Sequence, residues 1–239
     1  MTARAQAPGT LAGIDSAEVG ASTTGIFGGT FNPIHVGHLR SAEEVLEVLG
    51  LERMVFVPSS QPPHKTDHPD DRVAPAELRL AWTRAATAGN PRFEVDALEI
   101  ERGGPSYSVD TLRQLSAQLA PQRPVFVIGH DAFIELGTWR DPKTILALSN
   151  LAVTTRPPLA RGSLADWLPQ CAKNEVEVAP DGLSAHHRSS ETWIRLVEIS
   201  ALDVSASEIR QRIRAGRSVR YLLPERVHDQ VLASGIYDE

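Results

Sequence analysis

Gly28-Gly29-Thr30-Phe31-Asn32-Pro33-Ile34-His35-Val36-Gly37-His38-Leu39 is the stretch whose reading decides the fold. A short apolar run, Gly25 to Gly28, leads into it, and an amphipathic run from His38 to Leu49 follows. A Gly-rich turn therefore joins a strand to a helix. Leu39, Ala42, Leu46 and Leu49 share one face of that helix, and Gly50 supplies its stop. His35 and His38 sit three residues apart at the helix mouth. Backbone N–H groups, the positive end of the helix dipole and two imidazoles converge there, and all favour a phosphate. Gly37, between the histidines, lets the backbone come close to a ligand.

Outward from this point, Met54 to Val57 reads as a buried strand ended by Pro58. A long loop from Ser59 to about Ala74 holds Pro62-Pro63-His64-Lys65. Loops of that length are often functional. Pro75 to Ala88 reads as a helix, and Phe93 to Glu101 holds strand-like residues. Ser106-Tyr107-Ser108 opens a helix that runs through Leu119. Val125 to Ile128 is a strongly apolar strand followed by Gly129-His130-Asp131. Asp141 as N-cap and Pro142 at the first helical position start a helix to Leu148. Leu151 to Thr155 is a strand followed by Arg156, and Asp181 to Ser190 reads as a polar surface loop. Ile194 to Ile199 is a strand, Ser205 to Ala215 a helix closed by Gly216, and a last helix starts near Pro224.

Strands alternate with helices, and the strands are continuous apolar runs. That pattern predicts an α/β fold: a doubly wound parallel sheet with helices on both faces. Residues 24–239 form its single domain, with a small helical part at the C-terminal end, and residues 1–23 read as a flexible extension. Ligands of such sheets lie beyond the carboxyl ends of the strands. The Gly28 turn, the Lys65 loop, Gly129-His130-Asp131 and Arg156 all follow strands, so one crevice can gather them.

Composition narrows the rest. A formal net charge of −6 argues against non-specific binding to nucleic acid. The single Cys171 makes no intrachain disulfide, which fits a reducing compartment, the cytoplasm. No stretch approaches the roughly 20 apolar residues of a membrane span. No carboxylate cage for a metal is evident.

The block His35-Val36-Gly37-His38 resembles the HxGH motif of the nucleotidyltransferase superfamily, to which class I aminoacyl-tRNA synthetases also belong. Further blocks match in order: Pro62-Pro63-His64-Lys65, Gly104 to Leu112, Gly129-His130-Asp131, Thr138-Trp139-Arg140 and Val204 to Arg210. Together they resemble bacterial nicotinate-nucleotide adenylyltransferases, over about residues 24–237. The resemblance implies a Rossmann-like fold. It implies transfer of AMP from ATP to nicotinate mononucleotide, in NAD biosynthesis, giving nicotinate adenine dinucleotide and pyrophosphate. A homo-oligomer is compatible with it, and Mg²⁺ would arrive on the ATP.

The mononucleotide's 5′-phosphate is already ionised, so this chemistry needs positioning and charge neutralisation rather than a general base or a covalent intermediate. The residues implied as catalytic are His35, His38, Lys65 and Arg210. Those implied for ATP are Gly28, Gly29, Thr30, Phe31, Gly37, Gly129, Asp131, Arg156, Ser205 and Ser207. Asn32, Ser106, Tyr107, Ser108 and Trp139 are implied for the mononucleotide. Trp139 would stack on the pyridine ring, and amides opening the Ser108 helix would receive the nicotinate carboxylate. Asp131 would take a ribose hydroxyl. Ser205 with Glu208 also reads as a capping box. Asp110 and Thr111 read as props of their helix. The reading requires both imidazoles and Arg210 to share one pocket. The alternatives are another HxGH transferase, of the phosphopantetheine adenylyltransferase or cytidylyltransferase type, and a non-catalytic nucleotide sensor.

Overall fold

Apolar runs bounded by Gly, Pro and Asp become the strands, and the amphipathic stretches between them become the helices. In chain order these are β1 (Thr24–Gly29), α1 (Val36–Leu49), β2 (Arg53–Pro58), α2 (Ala76–Thr87), β3 (Phe93–Val95), α3 (Leu98–Arg102), α4 (Ser108–Leu119), β4 (Val125–Gly129) and α5 (His130–Ile134). After a 3₁₀ turn (Glu135–Thr138) come α6 (Pro142–Leu148), β5 (Asn150–Thr155), α7 (Leu164–Trp167), β6 (Val176–Val178), β7 (Ser184–His187), β8 (Trp193–Glu198), α8 (Ala206–Arg214) and α9 (Glu225–Ser234). The structure, a computed structural model, describes residues 23–63, 72–155, 163–200 and 202–238. The N-terminal extension through residue 22, Lys65 and Arg156 lie outside the described residues.

All strands join one sheet in the order β3-β2-β1-β4-β5-β8-β7-β6. From β3 to β8 every neighbouring pair is parallel, and β7 and β6 add an antiparallel hairpin at one edge. The expected doubly wound sheet is therefore present. Strand order reverses between β1 and β4, which makes the crevice beyond their carboxyl ends the favoured ligand position. Met54, Phe56, Val125, Val127 and Val197 pack on one face with Leu46 of α1, Trp82 of α2, Ile209 of α8 and Val231 of α9. Ile26, Val55, Ile128, Val153 and Ile194 pack on the other with Leu112 of α4, Ile145 of α6 and Leu164 of α7. Burial on both faces is why these strands read as unbroken apolar runs.

Four local expectations change. Helix α1 begins at Val36, with His35 as its N-cap, rather than at His38. The strand at Phe93 stops at Val95, because the Asp96 carboxylate accepts the Leu98 N–H (2.8 Å) and α3 starts instead. Asp141 does precede Pro142 at a helix start, but its carboxylate takes Arg113 (2.6 Å) rather than a cap amide. The segment Asp181 to Ser190 is not a surface loop. Asp181 accepts the Leu183 N–H (2.9 Å), Gly182 turns the chain at φ +70°, and β7 follows with Ser184, Ala185 and His187 buried. Its polar side chains hid a strand that main-chain pairing with β8 and β6 holds together.

The His187 ring closes the turn between β7 and β8, its Nδ1 lying 3.4 and 3.3 Å from the Ser189 and Ser190 amides. Burial holds its pKa below the ordinary 6.5. The unfolded chain therefore binds a proton on His187 before the folded one does. Stability present above about pH 6.5 is lost as pH falls through the depressed folded value. Urea unfolding between about pH 7.5 and 5.5 should show this loss, and His187→Gln should flatten it. An unchanged pH slope in that variant contradicts the assignment.

Candidate active site

Between β1 and α1 the chain makes a tight, unusual turn. Phe31 has φ +47°, a conformation L residues rarely adopt, and its ring is 2% exposed. The ring lies so close to Gly29 that a Cβ there would meet it at 2.9 Å, so only glycine fits. Asn32 is buried and its carboxamide is committed to the protein. Its Nδ2 donates to the Arg72 carbonyl (2.9 Å), while Oδ1 accepts from the Ala74 amide (2.9 Å) and the Tyr237 hydroxyl (2.5 Å). Two buried guanidiniums hold the turn's carbonyls from behind. Arg79 donates to Thr30 O (2.7 Å), Ser60 O (2.8 Å) and Ala74 O (2.8 Å). Arg210 donates to Asn32 O (2.9 Å) and Ser207 Oγ (3.3 Å). Burial lowers the Arg79 pKa, yet a guanidinium starting this high stays charged.

On this turn the imidazoles of His35 and His38 stack, with centroids 3.7 Å apart and planes inclined at 27°. The His35 amide donates to His38 Nδ1 (3.2 Å). That bond assigns the neutral ring's proton to Nε2, which becomes a donor. Phe31 meets the His38 ring edge-on at 5.2 Å and fixes it from another side. Gly37 serves this stack: a Cβ there would lie 3.0 Å from His35 Nδ1 and 3.1 Å from Cε1. The helix mouth is less open than its sequence promises. The Val36 amide is taken by Leu222 O (3.1 Å) and the His38 amide by His35 O (3.0 Å).

A cavity of 510 Å³ opens beyond β1, β4 and β5, and His35, Gly37, His38, Gly129, Asp131 and Ser205 are on its wall. The Asp131 carboxylate is fully exposed there. Ser205 accepts the Glu208 amide (3.1 Å), so it caps α8 while facing the cavity. A second cavity of 240 Å³ shares Phe27 and Gly129 with the first. Gly28, Gly29, Thr30, Ser106, Tyr107, Ser108 and Trp139 line it. The two lobes meet at the switch point of the sheet.

Most expected residues thus gather in one bilobed site, with differences. Gly28, Gly29 and Thr30 face the smaller lobe, because the end of β1 lies at the junction. Phe31, Asn32, Ser207 and Arg210 line neither lobe. The imidazoles share a pocket as required, but Arg210 is 2% exposed and stands behind the turn it supports, so the shared-pocket requirement fails for Arg210, which braces the site rather than lining it. Ser106 staples α4 to the end of β2: its hydroxyl accepts the Ser60 amide (2.8 Å) and its amide donates to Gln61 O (2.9 Å). The amides that open α4 toward an anion therefore start after Ser106, with Tyr107 as the N-cap. Thr111 donates to the buried Glu99 carboxylate and Asp110 pairs with Arg113 (3.0 Å), so both brace that helix.

Arg79 and Tyr237 escaped the sequence reading, and Arg140 was noticed only as part of a matched block, with no role. Arg79 falls on the buried stripe of α2 with Trp82 and Thr83, and a charge on an apolar stripe was its signal. Tyr237 gave none. Arg140 lines the smaller lobe, with its guanidinium carbon 4.7 Å from the centre of the Tyr107 ring. Among the described residues no group of three His, Cys, Asp or Glu side chains could hold a metal ion. Cys171 lies off both cavities, and burial raises its pKa, which keeps it a thiol. No helix among the described residues is long and apolar enough to cross a membrane.

Residues 26–212 match the family model described as cytidylyltransferase-like. A Geobacter sulfurreducens protein named "probable nicotinate-nucleotide adenylyltransferase" is 41% identical over 214 residues, spanning 90% of this chain and 97% of that protein. A Rubrobacter xylanophilus protein of the same name is 41% identical over 213 residues, spanning 89% of this chain and 91% of its own length. The solved nicotinic acid mononucleotide adenylyltransferase of Plasmodium falciparum, complexed with NaAD, aligns over 91% of this chain and 98% of its own, with a TM-score of 0.66. At 13% identity that last likeness is one of fold. With the paired imidazoles, the bilobed crevice and this degree of identity along almost the whole length, the chain belongs to the nicotinate-nucleotide adenylyltransferase family.

Proposed function

We propose that the chain joins ATP to nicotinate mononucleotide by direct in-line attack, releasing pyrophosphate. The observation that carries this reading is the meeting of two unequal lobes beside a fixed imidazole pair. The larger lobe suits ATP and the smaller the mononucleotide. An oxygen of the mononucleotide 5′-phosphate bonds to the α-phosphorus of ATP as the bond from that phosphorus to the α–β bridging oxygen breaks, and this oxygen leaves as a terminal oxygen of pyrophosphate. Both reactants are anions, so the protein's task is to hold them in line and offset their repulsion.

His38 Nε2–H donates to the phosphates where charge develops, and His35, stacked against it, contributes a second imidazole. Ser205 adds a hydroxyl at the mouth of α8. Lys65 and Arg156, outside the described residues, would add positive charge, Lys65 toward the phosphates and Arg156 on the adenosine side. Asp131 receives a ribose hydroxyl. Trp139 stacks on the pyridine ring. The amide of Ser108 and the Arg140 guanidinium face its carboxylate, which favours the acid over the amide. Arg210 acts through the turn it holds. The cavity wall offers imidazoles, a hydroxyl and the Asp131 carboxylate, a donor set that fits Mg²⁺ held mainly by phosphate oxygens and water. Carried in on the nucleotide, Mg²⁺ would supply charge neutralisation. Soluble nucleotide substrates fit a cytoplasmic setting.

Pyrophosphate release from ATP, Mg²⁺ and nicotinate mononucleotide tests the reading, and no release rejects it. His38→Ala should lower kcat by about 10²–10³-fold in a folded protein. Near-normal turnover removes His38 from the mechanism. Gly37→Ala, whose Cβ displaces the His35 ring, should cost about tenfold or more in kcat. The ratio of kcat/KM for nicotinate over nicotinamide mononucleotide should exceed one, and Arg140→Ala should shrink it by about tenfold. Equal values in the unaltered enzyme rule out a carboxylate site.

A further inference from the structure

Tyr237 lies beyond α9, where Gly235 in the left-handed conformation turns the chain back toward the body of the protein. The residue is 3% exposed, and its ring packs against Trp82 with centroids 6.0 Å apart. Its hydroxyl donates to Asn32 Oδ1 at 2.5 Å, across 205 positions of sequence. Burial pushes the phenol's pKa up, so it remains a donor at any working pH. The same Oδ1 accepts the Ala74 amide, and Nδ2 donates to Arg72 O, so the orientation of the Asn32 amide is fixed. Asn32 also offers its carbonyl to Arg210 of α8, whose first turn follows the cavity residue Ser205.

Asn32 is thus the point where α8, the entry to α2 and the residue after α9 meet the turn that carries the imidazoles. Immediately before it, Phe31 holds a φ of +47°. Such a conformation persists only where the surroundings over-determine it. A second tie runs the same way, from the Val36 amide to Leu222 O (3.1 Å).

We propose that Tyr237 is a positioning residue of the adenylyl-transfer site, acting through Asn32 to hold the β1–α1 turn and with it His35 and His38. The proposal rests on the reaction argued above. Tyr237 touches neither substrate lobe. Its hydroxyl restrains the turn against relaxing, and small displacements of reacting groups are enough to cost large factors in rate.

Tyr237→Phe keeps the packed ring and removes only the hydroxyl. The expected result is a fall in kcat of about 10–10²-fold, with both KM values within about threefold of the parent. Hydrogen exchange should quicken in the segment 29–36 while the remainder of α1 stays protected. Tyr237→Phe combined with Asn32→Ala should be no slower than Asn32→Ala alone, because both act on one link. An unchanged kcat in the folded variant overturns the proposal. So does a loss of activity that only tracks loss of folded protein, or losses that multiply in the double variant. Exchange is read without turnover. If the parent enzyme released no pyrophosphate, the reaction would fail while exchange in segment 29–36 still decided whether Tyr237 restrains the turn.

Discussion

Two guanidinium ions held almost out of water against backbone carbonyls are what the site stands on. Arg79 and Arg210 are 1% and 2% exposed. Burying a cation is costly unless every donor finds an acceptor. Arg79 finds Thr30, Ser60 and Ala74 carbonyls, all belonging to loops that leave β1 and β2 or enter α2. Arg210 finds the Asn32 carbonyl. These are strong, charge-assisted bonds to chain segments with no regular structure of their own. Apolar residues of equal volume would leave the same carbonyls without donors. The turn's geometry is therefore set by buried charge, and the imidazoles inherit their positions from it.

That arrangement suits a reaction whose barrier is mostly assembly and repulsion. Stacking and the amide bond to Nδ1 fix the His38 ring before any ligand arrives. In the proposed transfer, donors fixed in this way need no reorganisation as charge develops on the phosphate oxygens, which is where preorganisation is most effective. The switch point between β1 and β4 puts two lobes on either side of the same strand end, so the fold offers two separate compartments that open at one rim.

Much of this was legible in the residues. The β1–turn–α1 unit, the apolar strands and the Asp141-Pro142 helix start are governed by local periodicity and by Gly and Pro, which a sequence displays directly. The hairpin β6–β7 was not, because Ser-Ala-His-His carries no apolar alternation and gains its strand from the pairing of its neighbours. The strand expected through Glu101 failed at Asp96, where one side-chain bond redirected the backbone. In the site, the Gly28 turn, Gly129 and Asp131 were readable because they follow strands, whereas Ser106 to Ser108, Trp139 and Ser205 were reached only through the family resemblance. The supports were not, since Asn32, Arg79, Arg210 and Tyr237 act by contacts across long stretches of chain. Asn32 and Arg210 lie in recognisable motifs, which placed them near the site without disclosing that they line neither cavity.

The hairpin that closes one side of the sheet also determines how the molecule ends laterally. The outermost strands, β3 and β6, are each three residues long. Each carries an exposed glutamate at its centre, Glu94 and Glu177. A border so brief, with a charged side chain at its midpoint that is already ion-paired to Arg53 or Arg188, gives a neighbouring chain little backbone to zip onto and hydrated charges to strip. A sheet with a hydrophobic interior on both faces is thereby kept from growing sideways into a fibre.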